Sequence, residues 1–565
     1  MEIKFIGPLG KVTGSCTWMR DRKRGWNFLI DCGMQQGELT ASEWNACKWE
    51  FVPEQLNFVV LTHAHIDHSG LLPVLYKQGF RGFVYCTVET KEIATELLKD
   101  AAGFPEALFT KCDVDKIKWK EPGSEPLLGF HHPVDQDLFL RFFRTGHVMG
   151  AVSVAVCWGA KGEGQKSIIF SGDVGPGGED AEYLPFLRHR MAAGQFDYAV
   201  IESTYGGTNR SVDETDPDAR RARLRSWLKR AIEKSGVLII PAFALGRTQD
   251  VMFDLHWIVA ESPEEFRDIR FFLDSPAATR LHPIFLRGLE RAQSSRQGKV
   301  RPLWLGKQMF RWFDLSDSDP LHRCRVQDIC RMTLGAEQKQ PVSSDQGNAI
   351  ARAWRPIFQK VQDRKRLFEQ GLTGPSVLVV GSGTCDGGAA AYWLPRLLGS
   401  ELNAVLMTGY SASSTIAGRL LSLKLASLEE RQKHNGLLSW SVDNTVPIAD
   451  IRADIDSLSG YSAHADQSGL IQWIFSYHQE RLQVAGKTIF IQHGVDGQRL
   501  ALERALKARA FQESVELSVV RPDAGHAWMD LDAGATAIDQ SLRKQELERE
   551  LALIQQQLSE MMPAM

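Results

Sequence analysis

Disulfide chemistry is the first thing this sequence lacks. Its nine cysteines are odd in number and include no C-x-x-C pair, which argues against a disulfide framework or a zinc ribbon and leaves scattered reduced thiols as buried filler. Long hydrophobic runs are missing too: the longest, "VLIIPAFAL" and "VLVVG", suit buried strands and fall well short of the ~20 residues of a membrane span. The start, "MEIKFIGPLG", has neither the core nor the cleavage site of a signal peptide and reads as a strand and a turn, so a cytosolic protein without a membrane partner is expected. Neither sign of charge dominates. With 66 Lys and Arg against 69 Asp and Glu the net charge is −3, which neither demands nor excludes nucleic acid, because a local basic track suffices. At 565 residues and 43% hydrophobic the chain is globular and too long for one ordinary domain, so two to four are expected.

Against these absences stands "LTHAHIDHSG", Leu61 to Gly70, with three histidines and an aspartate in six positions behind the apolar run "NFVVLTH". A strand that ends in a polar loop exposes its last side chains together, so His63 and His65 can face one way while Asp67 and His68 turn to a second position. Imidazole mixed with carboxylate suits zinc better than calcium or magnesium, which prefer oxygen alone. Further ligands are then expected at other strand ends. "RTGHVMGAVSV" puts His147 in a Gly-flanked turn, and "SIIFSGDVGPG" puts Asp173 behind another apolar run. Together they complete a two-metal site. Asp31, which ends "NFLID", is expected to hold an imidazole in its tautomer rather than to bind metal.

The set His63, His65, Asp67, His68, His147 and Asp173 resembles the signature of the metallo-β-lactamase superfamily. Further pieces resemble its β-CASP nuclease branch: "IESTYG" with Glu202, "LIIPAFALGRTQD", "VVGSGTCDGG", "MTGYSAS", "SGYSAHAD" with His464, and "IFIQHGV" with His493. The likeness runs from about residue 1 to 530 and is to bacterial and archaeal relatives of the mRNA 3′-end-processing endonuclease. It implies an α/β protein, a metallo-β-lactamase αβ/βα sandwich with an inserted β-CASP domain whose mostly parallel sheet is flanked by helices. It also implies two Zn²⁺ per chain, the first held by His63, His65 and His147, the second by Asp67, His68 and His493, with Asp173 bridging. Ser414 and Ile416 depart from the family pattern, where Gly and Leu are more usual.

The chain divides accordingly. Residues 1–206 and 446–530 are expected to form the sandwich, 207–445 the insertion, and 531–565 a helical tail. "VPIADIRADIDSLSG" should return the chain to the first domain, placing the metal site at the domain interface. In the helix 217–235, Asp216 reads as N-cap, Pro217 as first position and Gly236 as the stop. Its face with Arg221, Arg225 and Lys229 is either a solvated surface or a track for a nucleic-acid backbone. The extra segment 290–350 is either a solvated insertion or an RNA-guiding flap, in which Arg301, Lys307 and Arg311 lie beside Trp304, Phe310 and Trp312. In the tail, Leu547, Leu551, Ile554 and Leu558 make a short heptad-like stripe that either forms a homodimer or docks on its own domain.

Expelling a 3′ oxygen from a phosphodiester requires a proton donor opposite the nucleophile. His464 fits that role, with Glu202 orienting its imidazole and raising its pKa. Asp67, His464 and Glu202 are thus the expected catalytic residues, with RNA as substrate and 5′-phosphate and 3′-hydroxyl ends as products. Cleavage is expected to be endonucleolytic, with a 5′-exonucleolytic mode open. Arg247, Ser382, Gly383, Tyr410 and Ser462, all in strand-end loops, are the expected substrate contacts, although structural turns explain the glycines equally well. His131, His132 and His526 match no motif and are expected to be structural. The rival readings are a DNA nuclease of the same family, a non-catalytic RNA-processing subunit and a small-molecule hydrolase.

Overall fold

The computed structural model describes residues 1–534 apart from 36–40, 105, 123–126, 161–163, 178–182, 295–299, 336–345, 410, 479 and 523–527. The tail stripe and His526 therefore lie outside the described residues. Two facing sheets, buried through their central strands and more open at their edges, form the first layers. One runs in the order Met529–Asp530, Glu2–Phe5, Thr17–Asp21, Trp26–Ile30, Phe58–Val60, Phe83–Tyr85 and Trp119–Lys120. The other runs Ser518–Val520, Thr488–Ile491, Tyr198–Ile201, Lys166–Phe170, Val152–Trp158, Leu138–Arg144 and His132–Asp135. Their inner faces share a core in which Phe5 meets Phe490 at 5.4 Å between ring centroids. This is the expected sandwich.

Between Tyr198–Ile201 and its sheet neighbour Thr488–Ile491 the chain departs to build a third sheet, ordered Phe358–Lys360, Arg270–Asp274, Ser376–Val380, Val237–Pro241, Ala404–Met407 and Asp454–Ser457. Every neighbouring pair in it is parallel, so all six carboxyl ends open on one edge. The expected re-entry at residue 446 is displaced. Asp454–Ser457 pairs with Ala404–Met407, because Ile451, Ala453 and Ile455 bury in the insertion's own core, and the crossing comes after Ser457.

The helix Pro217–Lys234 starts as expected, with the Asp216 carboxylate accepting from Asp218 N. It ends one residue early. Ser235 takes the left-handed cap (φ 50°), while Gly236 is needed for close approach, since a Cβ there would fall 1.9 Å from the Leu402 carbonyl oxygen. Its basic residues are committed to neighbours rather than free to track a backbone: Arg221 is buried 4.1 Å over the Trp257 ring, while the half-buried Arg225 and the exposed Lys229 pair with Glu265 at 2.8 and 2.7 Å, so the solvated reading holds for the outer part of the face. A seam of ion pairs joins the two domains. Arg280, Arg287 and Arg291 of the insertion meet Glu96, Glu92 and Glu89 of the helix Val88–Ala101 at 3.2, 2.7 and 2.8 Å.

The segment 290–350 also departs from both expectations. Trp304 and Phe310 are each 2% exposed, and Leu303, Leu305, Met309 and Phe313 bury with them. Trp312 packs on that core and faces Phe253 at 5.9 Å. The rings thus serve packing rather than base stacking, because burying aromatic area outweighs anything they gain in water. All nine cysteines are free, all but Cys112 and Cys324 buried, and no helix among the described residues is long and apolar enough to cross a membrane. Trp304→Ala should cost about 3–5 kcal/mol of stability and lower the urea midpoint while leaving RNA affinity of the folded protein unchanged. An unchanged midpoint with weakened RNA binding would restore the flap.

Candidate metal centre

Chemistry-bearing residues collect where strands of both sandwich sheets end. Behind Phe58–Val60 come His63 and His65, then the short helix Ile66–Ser69, which presents Asp67 and His68. A glycine permits this approach: a Cβ on Gly33 would fall 1.6 Å from the Asp67 carbonyl oxygen. His147 lies in the turn between Leu138–Arg144 and Val152–Trp158, Asp173 follows Lys166–Phe170, and His493 follows Thr488–Ile491.

Asp173 stands at the centre of these residues. Its Oδ2 lies 3.4 Å from Nε2 of both His63 and His147, and those two nitrogens each lie 3.1 Å from His65 Nδ1. Its Oδ1 faces a second group, 3.2 Å from His68 Nε2 and 3.5 Å from His493 Nε2, with Asp67 Oδ2 3.8 Å from the latter. His68 Nε2 and Asp173 Oδ1 are buried without a hydrogen-bond partner. Bare buried polar atoms cost about 1–3 kcal/mol each. A divalent cation in the second group would remove that cost, and the N/O donor sets of both groups would suit zinc chemistry.

The far sides of the imidazoles are held. Nδ1–H of His68 donates to Asp31 Oδ2 at 2.8 Å, and that of His147 donates to the Ala463 carbonyl at 3.1 Å, so both leave an Nε2 lone pair for metal. Asp31 is fixed in turn by Thr62, whose N–H and hydroxyl donate to it at 2.7 and 2.9 Å. Ser15 Oγ lies 2.7 Å from His493 Nδ1. Asp31 and His493 both adopt left-handed backbone (φ 59° and 49°), a conformation costing roughly 1–2 kcal/mol, which the fold accepts at this site. Sequence reading missed Ser15 and Thr62; Thr62 stands inside the histidine motif, whereas Ser15 carries no local signal.

Burial, and then neighbouring imidazoles, hold His63, His65 and His147 well below the usual histidine range, so they present neutral lone pairs. Burial pushes the Asp173 carboxyl up, but His493, His68 and His63 outweigh it and hold the group well below the usual carboxylate range. His68, between Asp173 and Asp31, is raised instead despite burial.

His464 stands beside the first group, its Nε2 3.9 Å from Asp173 Oδ2. Its Nδ1–H points at both oxygens of Glu202, at 3.1 and 3.2 Å, and Glu202 is itself fixed by Val174 N–H at 2.6 Å. Burial disfavours the imidazolium, yet the Glu202 carboxylate overrides it and raises the pKa. The His464 side chain is 21% exposed and that of Asp67 19%, against 1–4% for His63, His68, His147, Asp173 and His493, so the open side of the centre is theirs together with the half-buried His65.

Of the expected substrate contacts, Ser462 and Arg247 come to this region. Ser462 Oγ accepts from His464 N–H at 3.4 Å. Arg247 opens the helix Arg247–Glu261 behind Gly246, which borders Val148 beside His147; its Nη1 is buried without a hydrogen-bond partner. Ser382 and Gly383 sit in the loop after Ser376–Val380, the former with its hydroxyl 3.0 Å from that of Thr384, the latter against the Phe243 ring. Tyr410 lies outside the described residues. His132 donates to the Leu127 carbonyl at 2.8 Å and His131 packs on Phe139, both apart from the centre.

Three family models match the chain in succession: the metallo-beta-lactamase superfamily over residues 9–234, the Beta-Casp domain over 248–420, and a Zn-dependent metallo-hydrolase RNA specificity domain over 448–517. The chain belongs to the β-CASP branch of the metallo-β-lactamase superfamily. This β-CASP protein is a metal-dependent hydrolase. It is similar to Ribonuclease TTHA0252 of Thermus thermophilus, with 26% identity over 524 residues covering 91% of this chain and 98% of that one. Transcription termination factor FttA of Methanosarcina mazei is 25% identical over 512 residues, 87% of this chain and 67% of its own. Probable RNase MJ4 of Methanocaldococcus jannaschii is 23% identical over 506 residues, 89% and 95% of the two chains.

Asp31→Ala should weaken divalent-metal affinity roughly 10- to 100-fold, the usual effect of losing a partner behind a ligand imidazole. Competition with a chromophoric chelator measures it, and an unchanged affinity would remove Asp31 from the support of His68.

Proposed function

We propose that this β-CASP protein is a zinc-dependent ribonuclease that hydrolyses RNA phosphodiester bonds by a two-metal mechanism, leaving 5′-phosphate and 3′-hydroxyl ends. The observation that carries the reading is the pairing of a seven-residue ligand set around Asp173 with an imidazole pinned by Glu202 on its open side. In this assignment His63, His65 and His147 hold one zinc, Asp67, His68 and His493 the other, and Asp173 both. Bound there, the pair would supply Lewis acidity at the phosphoryl oxygens and a water nucleophile at neutral pH.

The chain's own residues do the rest. Glu202 keeps His464 protonated and aims Nε2 towards the centre, where it gives its proton to the departing 3′ oxygen. The unpartnered Nη1 of Arg247 supports a phosphate contact, and Ser382, Gly383, Tyr410 and Ser462 are assigned to the same backbone track. RNA is favoured over DNA because residues 448–517, which include His464 and His493, match an RNA specificity domain. Cleavage is internal, with the 5′-exonucleolytic mode as a second activity of the same centre, and the protein works in the cytosol. Circular RNA tests the internal mode, since only an endonuclease opens it, and faster cleavage of matched single-stranded DNA would overturn the choice of RNA.

The two late histidines separate the roles. His493→Ala removes a ligand, so zinc content should fall from about two per chain towards one. His464→Ala leaves every ligand in place, so zinc content and RNA affinity should survive while turnover drops by roughly 10² to 10⁴. A substrate with sulfur in place of the departing 3′ oxygen needs no proton and should recover much of the loss in His464→Ala and little in His493→Ala. Loss of zinc from His464→Ala, or equal rescue of both variants, would overturn the assignment.

A further inference from the structure

The loop that carries His464 is held from outside at each residue from Gly460 to Ala463. The Gly460 carbonyl accepts from Arg220 Nη1 at 2.9 Å. The Tyr461 hydroxyl donates to Asp254 Oδ2 at 2.9 Å, and its ring lies 4.7 Å from the Arg220 guanidinium. The Ser462 carbonyl accepts from the Tyr183 hydroxyl at 2.9 Å, and the Ala463 carbonyl accepts from His147. At the centre of this knot Arg220 donates through Nε and Nη2 to the two oxygens of Asp254 at 2.6 and 3.3 Å, and through Nη2 to the Tyr183 carbonyl at 3.1 Å. Arg220 and Tyr461 are each 1% exposed and Asp254 is 0%.

Arg220 lies on the helix Pro217–Lys234 and Asp254 on the helix Arg247–Glu261, both in the insertion. Tyr183 lies in the sandwich's part of the chain, and Gly460 to Ser462 lie on the crossing between the two. An ion pair serving only to join the two helices would need none of the remaining contacts. Here the Arg220 donors also reach the crossing and Tyr183, and Asp254 accepts a further hydrogen bond from Tyr461 on the crossing.

We propose that Arg220, Asp254 and Tyr461 are positioning residues through which the inserted domain fixes where the His464 imidazole stands relative to the leaving oxygen. The proposal rests on His464 as proton donor. Among the described residues the His464 side chain hydrogen-bonds Glu202 alone, through Nδ1. The reach of Nε2 is therefore set by where the loop backbone sits, and a displacement of about 1 Å at a proton-transfer site costs on the order of 100-fold in rate.

Two variants of the full, zinc-loaded chain test this. Tyr461→Phe removes one hydroxyl and keeps the ring. The double variant Arg220→Met with Asp254→Leu replaces the buried pair by apolar residues of similar size, a change that commonly preserves folding where removal of one charge does not. Zinc content, RNA dissociation constant, KM and kcat are measured on the oxygen substrate and on the one with sulfur at the departing 3′ position. The expected result is a fall in kcat of about 10-fold for Tyr461→Phe and about 100-fold for the double variant. Zinc content and RNA affinity should be unchanged and most of the loss recovered with sulfur. Unchanged kcat in Tyr461→Phe, a loss equally large with sulfur, or loss of zinc in Tyr461→Phe overturns it. If sulfur fails to rescue His464→Ala, the proton-donor reading fails and the positioning role falls with it. If sulfur rescues His464→Ala but neither positioning variant, the positioning role alone is wrong.

Discussion

A desolvated carboxylate with an imidazole cluster on each oxygen is the constraint on which the rest depends. Asp173 is 2% exposed, and its two oxygens face different groups. A buried charge of this kind is tolerated only when compensated. The compensation must come from several directions at once, which only converging strand ends provide. The central strand Lys166–Phe170 delivers Asp173, the adjacent strand Val152–Trp158 follows His147, Thr488–Ile491 two places away on the other side delivers His493, and the facing sheet delivers the histidine cluster. The sandwich is the means of bringing ligands from residues 63 to 493 to one carboxylate.

The parts of this arrangement written locally were legible in sequence. "HAHIDH" places four proposed ligands within six residues, so it needed only the strand before it to be read, and the near-continuous apolar runs "VLIIP", "SVLVV" and "AVLM" marked parallel strands buried on both faces. Contacts between residues hundreds apart were not legible from spacing. Ser15 meets His493 across 478 residues, and a serine at a strand edge looks like any other. The crossing near residue 446 was misplaced because "ADIDS" alternates in a way that suits a strand of either sheet, and only the pairing with Ala404–Met407 decides. The sequence around Trp304 and Phe310 leaves a solvated insertion and an RNA-guiding flap both open, because rings beside basic residues do not show by spacing that they bury while their charged neighbours reach water. His493, Glu202 and His464 were found through resemblance of whole motifs rather than through anything physical in the residues themselves.

The insertion is an integral part of the molecule rather than an appended module. Its helix Pro276–Glu290 is pinned to Val88–Ala101 by Arg280 and Arg287, and Arg291 just beyond it reaches Glu89, which is 2% exposed. Exposed pairs of this type contribute little singly, about 0–1 kcal/mol, but the partly buried Arg291–Glu89 contact fixes orientation as well as distance. The apolar segment around Trp304 and Phe313 adds to the same core as the sandwich. Both features tie the row of carboxyl strand ends to the metal centre.

Burial then divides the labour among the histidines. Most of the imidazoles proposed as ligands are closed off, His65 being half-buried, while His464, the proposed proton donor, keeps about a fifth of its side chain exposed. A residue facing both the metal centre and the row of strand ends cannot come from the interior of either domain. It has to come from a chain segment that passes between them, and Gly460 to Ala465 is such a segment: it leaves the last strand of the insertion's sheet, Asp454–Ser457, and rejoins the sandwich where Ala465 N–H donates to the Val174 carbonyl at 2.6 Å. Val174 follows Asp173 and also donates to Glu202, so one short stretch behind the central strand sets the carboxylate, the partner of the His464 imidazole and the anchor of its loop. The proposed metal ligands and proton donor are thereby registered to the same backbone, which lets an imidazole on a connection between two domains keep a fixed distance from the centre.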